Sequence, residues 1–166
     1  ITMPVNGLVQ GIRPIIGFNY GAKDRGRIFE TLKISLIVSG VLMLIGLLLF
    51  MFIPRQLLSM FNASENMMNL GIQTLRIMSI GFLFSAISFI ISAMYESIGK
   101  GTYSLAISLV RQCIIIIPIS MIFYKTIGLT GIWITFPVSE IAAVLVCLWM
   151  FVRTCKKDAV FIKNND

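Results

Sequence analysis

The sequence predicts an all-α fold, a polytopic bundle of transmembrane helices with four complete spans and the end of a fifth. Of its 166 residues, 57% are hydrophobic and only 13% are charged, about half the charged fraction of a soluble domain. The apolar residues form runs of about 20 residues, the length that a helix needs to cross a bilayer. Each run is expected to be helical, because backbone groups in lipid need internal hydrogen-bond partners.

Four apolar runs account for the complete spans, at residues 34–53, 70–95, 105–124 and 127–152. The last two contain one charge each, Arg111 and Glu140. Residues 1–20 are less apolar and are predicted to be the end of an earlier span, so we expect the N-terminal part of the protein to be missing. The chain is predicted to end in a polar tail, residues 153–166.

The composition also excludes several classes of protein. A soluble enzyme, a disordered chain and a nucleic-acid-binding domain do not fit, because the charges that give the net +7 lie in the gaps between apolar runs. The sequence has no His and three Cys, which provides neither a disulfide framework nor common zinc or triad chemistry. We therefore expect no enzymatic activity, no cofactor and no nucleic-acid partner; the expected partner is the lipid bilayer.

The positions of Lys and Arg predict the orientation. Nine of the 14 basic residues lie in three segments that consecutive spans place on one side, at 21–33, 96–104 and 153–166. The connectors of the other side contain two. Short loops rich in Lys and Arg stay in the cytoplasm, so we expect a multi-pass plasma-membrane protein with a cytoplasmic C-terminus. The triplet Asn62-Ala63-Ser64 matches a glycosylation sequon on the outer side, but such triplets are frequent by chance and we do not expect it to be used.

Glu140 and Arg111 are the candidate transport-pathway or coupling residues. An acid deep inside a span is costly, by about 2.5–3.5 kcal/mol on insertion scales, and such residues often mark an ion or substrate path. The alternative for Glu140 is a protonated or paired structural acid, and the sequence leaves both open. Arg111 lies about 9 Å closer than Glu140 to the cytoplasmic edge. We expect its side chain to snorkel to that interface in preference to extending toward Glu140.

Pro118 and Pro137 are candidates for helix kinks, because each removes a backbone donor inside a predicted span. Kinked helices recur in transporters, where the freed carbonyl groups line a cavity. Prolines are also common in membrane helices that have no gating role. The sequence therefore gives a gating role for either proline as one of two open interpretations.

The stretch at 10–23, QGIRPIIGFNYGAK, resembles the C-terminal lobe of multidrug and toxic compound extrusion transporters. The motif residues are Gly11, Pro14, Gly17, Asn19, Tyr20 and Gly21. Three further stretches resemble the same lobe in the same order, at 57–65 with 71–77, at 97–101, and at 128–133 with Pro137 and Glu140. The resemblance covers essentially the whole chain. Glu96 departs from it, because relatives often have an uncharged residue there.

This resemblance implies a twelve-helix transporter of two lobes that exports organic cations or drugs in exchange for Na⁺ or H⁺. The chain would hold the end of the eighth helix and helices nine to twelve, and its partner would be the missing N-terminal lobe. The family's coupling acids lie largely in the missing parts, so none is transferred to this chain. Three alternatives remain: a flippase of lipid-linked oligosaccharides from the same superfamily, a membrane-embedded enzyme, and a structural membrane subunit without a pathway.

Overall fold

The computed structural model describes residues 2–60, 65–158 and 160–161. Eight α-helices and one π-helical segment follow one another in this part of the chain: α1 (Thr2–Gly21), α2 (Arg25–Phe52), α3 (Pro54–Ser59), α4 (Glu65–Ser79), α5 (Phe82–Ser97), α6 (Gly101–Leu109), the π segment Val110–Ile115, α7 (Ile116–Ile127) and α8 (Leu129–Lys157). The predicted all-α fold is confirmed. The sequon at 62–64 and the end of the tail at 162–166 lie outside the described residues.

Three uninterrupted helical stretches of the described chain are long and apolar enough to cross a membrane: 25–52, 101–127 and 129–157. A fourth span is counted if α4 and α5 are taken as one bent unit. These stretches match the predicted spans in order. The π segment joins α6 to α7 within the second of them, so that the predicted run 105–124 belongs to one continuous helical stretch.

The prediction of a single straight span at 70–95 is wrong. The helix ends at Ser79 and restarts at Phe82, and the two parts are bent by 49°. The break lies at Ile80-Gly81, where glycine lowers helix propensity by about 1 kcal/mol relative to alanine. The apolar run alone did not reveal this bend, because both arms of the bent pair are apolar.

The two longest helices extend beyond their predicted limits. α2 begins in the predicted basic loop at Arg25, because the Asp24 side chain accepts a hydrogen bond of 3.1 Å from the backbone N–H of Arg27 and caps the helix. At the other end of the chain, α8 continues through Lys157, into the predicted polar tail. Lys156 and Lys157 in its last turn are favoured by the helix dipole.

The bundle packs around α5, which contacts α1, α2, α6 and α8. The side chains of Ile90, Met94 and Tyr95 on α5 are completely buried. The Tyr95 hydroxyl lies 2.9 Å from the Thr154 hydroxyl of α8, so this interior polar group has a partner.

The buried and exposed faces of α2 have the opposite polarity to those of a soluble helix. Its inward positions include Ser35, Ser39 and Gly46, whereas large apolar side chains such as Ile34 (55% exposed) and Ile37 (56% exposed) point outward. Small residues inside permit close helix approach, and large apolar residues outside suit lipid contact. The structure therefore agrees with the predicted bilayer environment.

The three basic segments meet at one end of the bundle. Asp158, directly after α8, accepts hydrogen bonds from Tyr20 at the end of α1 and from Lys100 in the turn between α5 and α6. We call this end, where the α1–α2 loop, the α5–α6 turn and the end of α8 lie together, the basic end. Its assembly from distant parts of the chain agrees with the alternation of spans on which the predicted orientation rests.

Candidate functional site

A cavity of about 370 Å³ lies where the π segment and α7 meet α5 and α8. Its polar lining includes Ser85, Arg111, Gln112 and Glu140, and the remainder is largely apolar. We call it the polar cavity. Both predicted pathway residues, Arg111 and Glu140, line it, although they lie 29 positions apart in the sequence.

Arg111 and Glu140 form an ion pair in this cavity. An Nη1 atom of Arg111 lies 3.7 Å from Oε2 of Glu140, and the two side chains are only 13% and 19% exposed. The expected snorkelling of Arg111 toward the interface is therefore wrong. A shared cavity lets the guanidinium pair with the acid on the neighbouring helix, which offsets part of the cost of removing both charges from water.

Phe89 of α5 completes a cation-binding arrangement. The Arg111 guanidinium carbon lies 4.9 Å from the centre of the Phe89 ring, so its charge faces both a π system and a carboxylate. Within the described residues, Oε2 of Glu140 is buried and accepts no hydrogen bond, since the 3.7 Å ion pair is too long for one. The site thus retains hydrogen-bonding capacity beyond its own guanidinium.

The bend between α4 and α5 brings Gly81 close to Glu140. A Cβ atom at Gly81 would lie 3.3 Å from the Glu140 Cγ and 3.4 Å from the Pro137 Cα. The absence of a side chain at Gly81 therefore lets the bent pair approach α8 beside the acid. The sequence analysis missed Gly81 and Phe89; the glycine within the apolar run was the signal for the first, and none distinguished Phe89 among twelve phenylalanines.

The two candidate kink prolines have different surroundings. Pro118 follows the π segment that contains Arg111, and its missing N–H leaves the Ile114 carbonyl without the usual α-helical donor. Such π segments occur frequently at functional sites. Pro137, by contrast, is buried inside α8, which is assigned as helix without interruption from Leu129 to Lys157.

The family-motif residues lie on α1, away from the polar cavity. Gly17 allows close packing, because a Cβ there would lie 3.2 Å from the Ser97 carbonyl oxygen. Asn19 is buried, and its side-chain amide donates to the Ile15 carbonyl at 2.8 Å. Pro14 is exposed on α1, and Gly11 and Gly21 have open space where a side chain would project. In this structure the motif positions α1; it does not line the cavity.

Glu96, the departure from the family pattern, takes part in an ionic contact between helices. It pairs with Arg13 of α1, and its Oε1 accepts a hydrogen bond of 2.7 Å from the Ser104 hydroxyl of α6. Its position near the end of α5 thus joins three helices. Both Arg13 and Glu96 are substantially exposed, so the pair contributes modestly to stability.

Asp158 forms the more enclosed contact at the basic end, with its side chain 10% exposed. Burial raises its pKa, but hydrogen bonds from Lys100, Tyr20 and the Val160 N–H outweigh burial and hold the pKa below its ordinary value. For Lys100, burial lowers the pKa, and the hydrogen bond and charge of Asp158 outweigh it, so the pKa is raised. Both shifts favour the charged pair.

A bundle of long apolar helices around a buried ion pair is typical of helical membrane proteins with a polar pathway, transporters among them. The chain belongs to the MatE family, whose model matches residues 1–122. Members of this family are multi-pass membrane transporters, so the predicted resemblance is confirmed. Comparison with curated protein sequences gives no match.

Solved structures agree with this assignment. The chain is similar to the MATE multidrug transporter DinF-BH in complex with a drug, with a TM-score of 0.85 and 29% identity over 98% of this chain and 36% of that one. It is also similar to a multidrug resistance MATE transporter in an inward-facing conformation (TM-score 0.85, 22% identity, 94% and 37% covered). A Pyrococcus furiosus transporter of the MOP superfamily gives 0.84 and 24%, with 93% and 36% covered. The chain spans just over a third of the length of these transporters.

Proposed function

We propose that the chain is part of a secondary active exporter of organic, cationic compounds, driven by Na⁺ or H⁺. Support comes from membership of the MatE family and from the similarity to a multidrug transporter at 29% identity. The chain spans 36% of that relative. The proposal therefore assigns transport to a larger assembly in which an N-terminal lobe provides the opposing wall of the pathway.

The observation that carries the proposal is the way the polar cavity holds a cation. The Arg111 guanidinium is a planar organic cation, and it lies against the Phe89 ring while its charge faces the Glu140 carboxylate. These are the two groups that would also bind a drug cation, by charge and by the π face. Arg111 thus occupies the position that the proposal gives to a substrate.

The proposed mechanism is an exchange of cations at Glu140. A substrate cation entering the polar cavity displaces Arg111 from Phe89 and pairs with the carboxylate. Binding of Na⁺ or H⁺ to the same carboxylate then removes the attraction for the substrate and releases it. The backbone around Pro118 and Pro137 provides the proposed flexible positions of the two helices during this exchange.

The test is the Glu140→Gln variant of the full-length protein, assayed for drug export in cells. Gln keeps the size of the side chain and removes the charge, so export of cationic dyes should fall at least tenfold with normal membrane insertion. Glu30→Gln is the matched control, because Glu30 is an exposed acid at the start of α2, outside the polar cavity. Its export should equal that of the wild type.

Two outcomes would contradict the proposal. Unchanged export by Glu140→Gln would make Glu140 a structural acid, and the same loss in Glu30→Gln would show a general effect of lost charge. The expected selectivity is for cationic over neutral dyes. Transport of a lipid-linked sugar without any dye export would favour the flippase alternative.

The requirement for a second lobe has a separate test. One lobe leaves the polar cavity without an opposing wall, so cells that produce only residues 1–166 should accumulate dye as strongly as cells without the protein. Restored efflux on production of the full-length protein would support this. Clear efflux by the 166-residue chain alone would refute it.

A further inference from the structure

A row of aromatic and basic side chains runs along the last turns of α8. Trp149, Arg153 and Lys157 are spaced by four residues and therefore lie on one face of the helix. With Lys100 and Tyr103 from the α5–α6 turn and α6, they line a cavity of about 290 Å³ at the basic end. We call this the basic cavity. It is separate from the polar cavity and shares no lining residue with it.

The basic cavity has an excess of positive charge. Within residues 2–60, 65–158 and 160–161, no ion pair involves Arg153, Lys156 or Lys157. The neighbouring acid, Asp158, already binds Lys100 and Tyr20 through the same oxygen. The Arg153 guanidinium carbon lies 5.3 Å from the centre of the Trp149 ring. This contact orients Arg153 without neutralising it.

An apolar groove of about 580 Å³ adjoins the basic cavity. The two share Trp149 and Arg153, and the groove is also lined by Leu148, Val152 and Lys156. The side chains of Leu148, Trp149 and Val152 are 43%, 62% and 50% exposed. Cationic groups therefore lie at the helix end, and exposed apolar groups lie one to two turns deeper along the same helix.

We infer that the basic cavity binds the phosphate of an anionic phospholipid, with an acyl chain along the apolar groove. Arginine and lysine are the side chains that recognise phosphate, and basic pockets between helices bind anionic headgroups. A tryptophan beside them suits the level of the lipid headgroups. The continuous apolar groove distinguishes a lipid from free phosphate, since phosphate alone would leave that surface without a matching group.

The experiment measures retention of phosphatidylglycerol by the full-length protein in nanodiscs that contain phosphatidylcholine with or without the anionic lipid. Native mass spectrometry counts the bound lipid. Removing one charge should weaken phosphatidylglycerol binding about fivefold, and the double variant Arg153→Gln/Lys157→Gln should weaken it about 25-fold. Arg55→Gln/Lys125→Gln is the matched control, because it removes two exposed cations elsewhere in the bundle. It should bind as the wild type does.

Trp149→Leu provides a second variant that keeps every charge. It removes the ring that orients Arg153, so binding should weaken about two- to fivefold. Circular dichroism establishes that each variant is folded, and the Trp149→Leu result decides if the double variant does not fold.

Three results would overturn the inference. They are wild-type retention of phosphatidylglycerol by the basic-cavity variants, an equal loss in the control variant, and inorganic phosphate binding to the protein as tightly as the lipid does. The last result would show a site for the free anion.

Discussion

The Tyr20 hydroxyl donates a hydrogen bond of 2.9 Å to the Asp158 carboxylate, joining residues 138 positions apart. The same carboxylate oxygen accepts a hydrogen bond of 2.6 Å from Lys100. Asp158 therefore holds together the end of α1, the α5–α6 turn and the end of α8. Phe161 adds an apolar contact at this point, since its buried ring packs against Tyr20 and Phe29.

Replacing Tyr20 with Phe should weaken this junction. Loss of a hydrogen bond to a partly buried carboxylate costs about 1 kcal/mol, which lowers the melting temperature by about 2–4 °C for a chain of this size. Thermal unfolding in detergent measures the effect. Tyr124→Phe is the control, because Tyr124 is 58% exposed, and it should leave the melting temperature unchanged. Equal melting temperatures for both variants would contradict the role given to Tyr20.

The Lys100–Asp158 pair should stabilise the fold most strongly between about pH 4 and 10. The folded-state pKa of Asp158 lies below 3.8, so its contribution is complete above that value and is lost as the pH falls through the lowered pKa. The pKa of Lys100 lies above 10.5, so its contribution is complete below that value and is lost as the pH rises through the raised pKa.

Melting temperatures measured across this pH range test the pair. Asp158→Asn should flatten both the acid and the alkaline decline, because it removes one charge and the partner of the other. The exposed Glu30→Gln should leave the profile as it is in the wild type. A profile for Asp158→Asn that parallels the wild type would show that the pair does not contribute.

Two glycines of the family motif should respond differently to alanine. In Gly17→Ala the new methyl group would lie 3.2 Å from the Ser97 carbonyl oxygen, so we expect a loss of about 1–2 kcal/mol from separation of α1 and α5. In Gly11→Ala the methyl group meets open space, and the helix should gain about 0.5–1 kcal/mol. Unfolding free energies compare the two. A larger loss for Gly11→Ala would contradict the packing described here.

The ion pair in the polar cavity should show coupling in a double-mutant cycle. Glu140→Gln leaves the Arg111 guanidinium without its carboxylate, whereas Arg111→Met leaves a carboxyl group that can bind a proton. We expect Glu140→Gln to cost more stability than Arg111→Met, and the double variant to cost less than the sum by about 1–2 kcal/mol. Additive losses in thermal unfolding would mean that the two charges do not interact.

The C-terminus is predicted to lie in the cytoplasm. A green fluorescent protein fused after Asp166 should fluoresce, and an alkaline phosphatase fused at the same position should be inactive. A fusion in the α7–α8 turn, near Gly128, should give the opposite pair of results, because α8 crosses the membrane between the two points. Active phosphatase at the C-terminus would reverse the predicted orientation.

The sequence by itself determined the helical class, the order of the spans and the two charged residues of the site. The physical reason is local: runs of about 20 apolar residues leave the backbone in lipid no alternative to the helix. Isolated charges such as Arg111 and Glu140 are conspicuous against such runs. The motif around Gly17 and Tyr20 also indicated the family directly.

Only the tertiary structure decided which groups meet. The bend at Gly81, the pairing of Arg111 with Glu140 and the position of Phe89 depend on how neighbouring helices rotate and approach each other, which hydropathy does not encode. Snorkelling was the expectation for Arg111 because the sequence gave its depth but not the position of a partner. The contact between Tyr20 and Asp158 likewise exists because packing around α5 brings distant helix ends together.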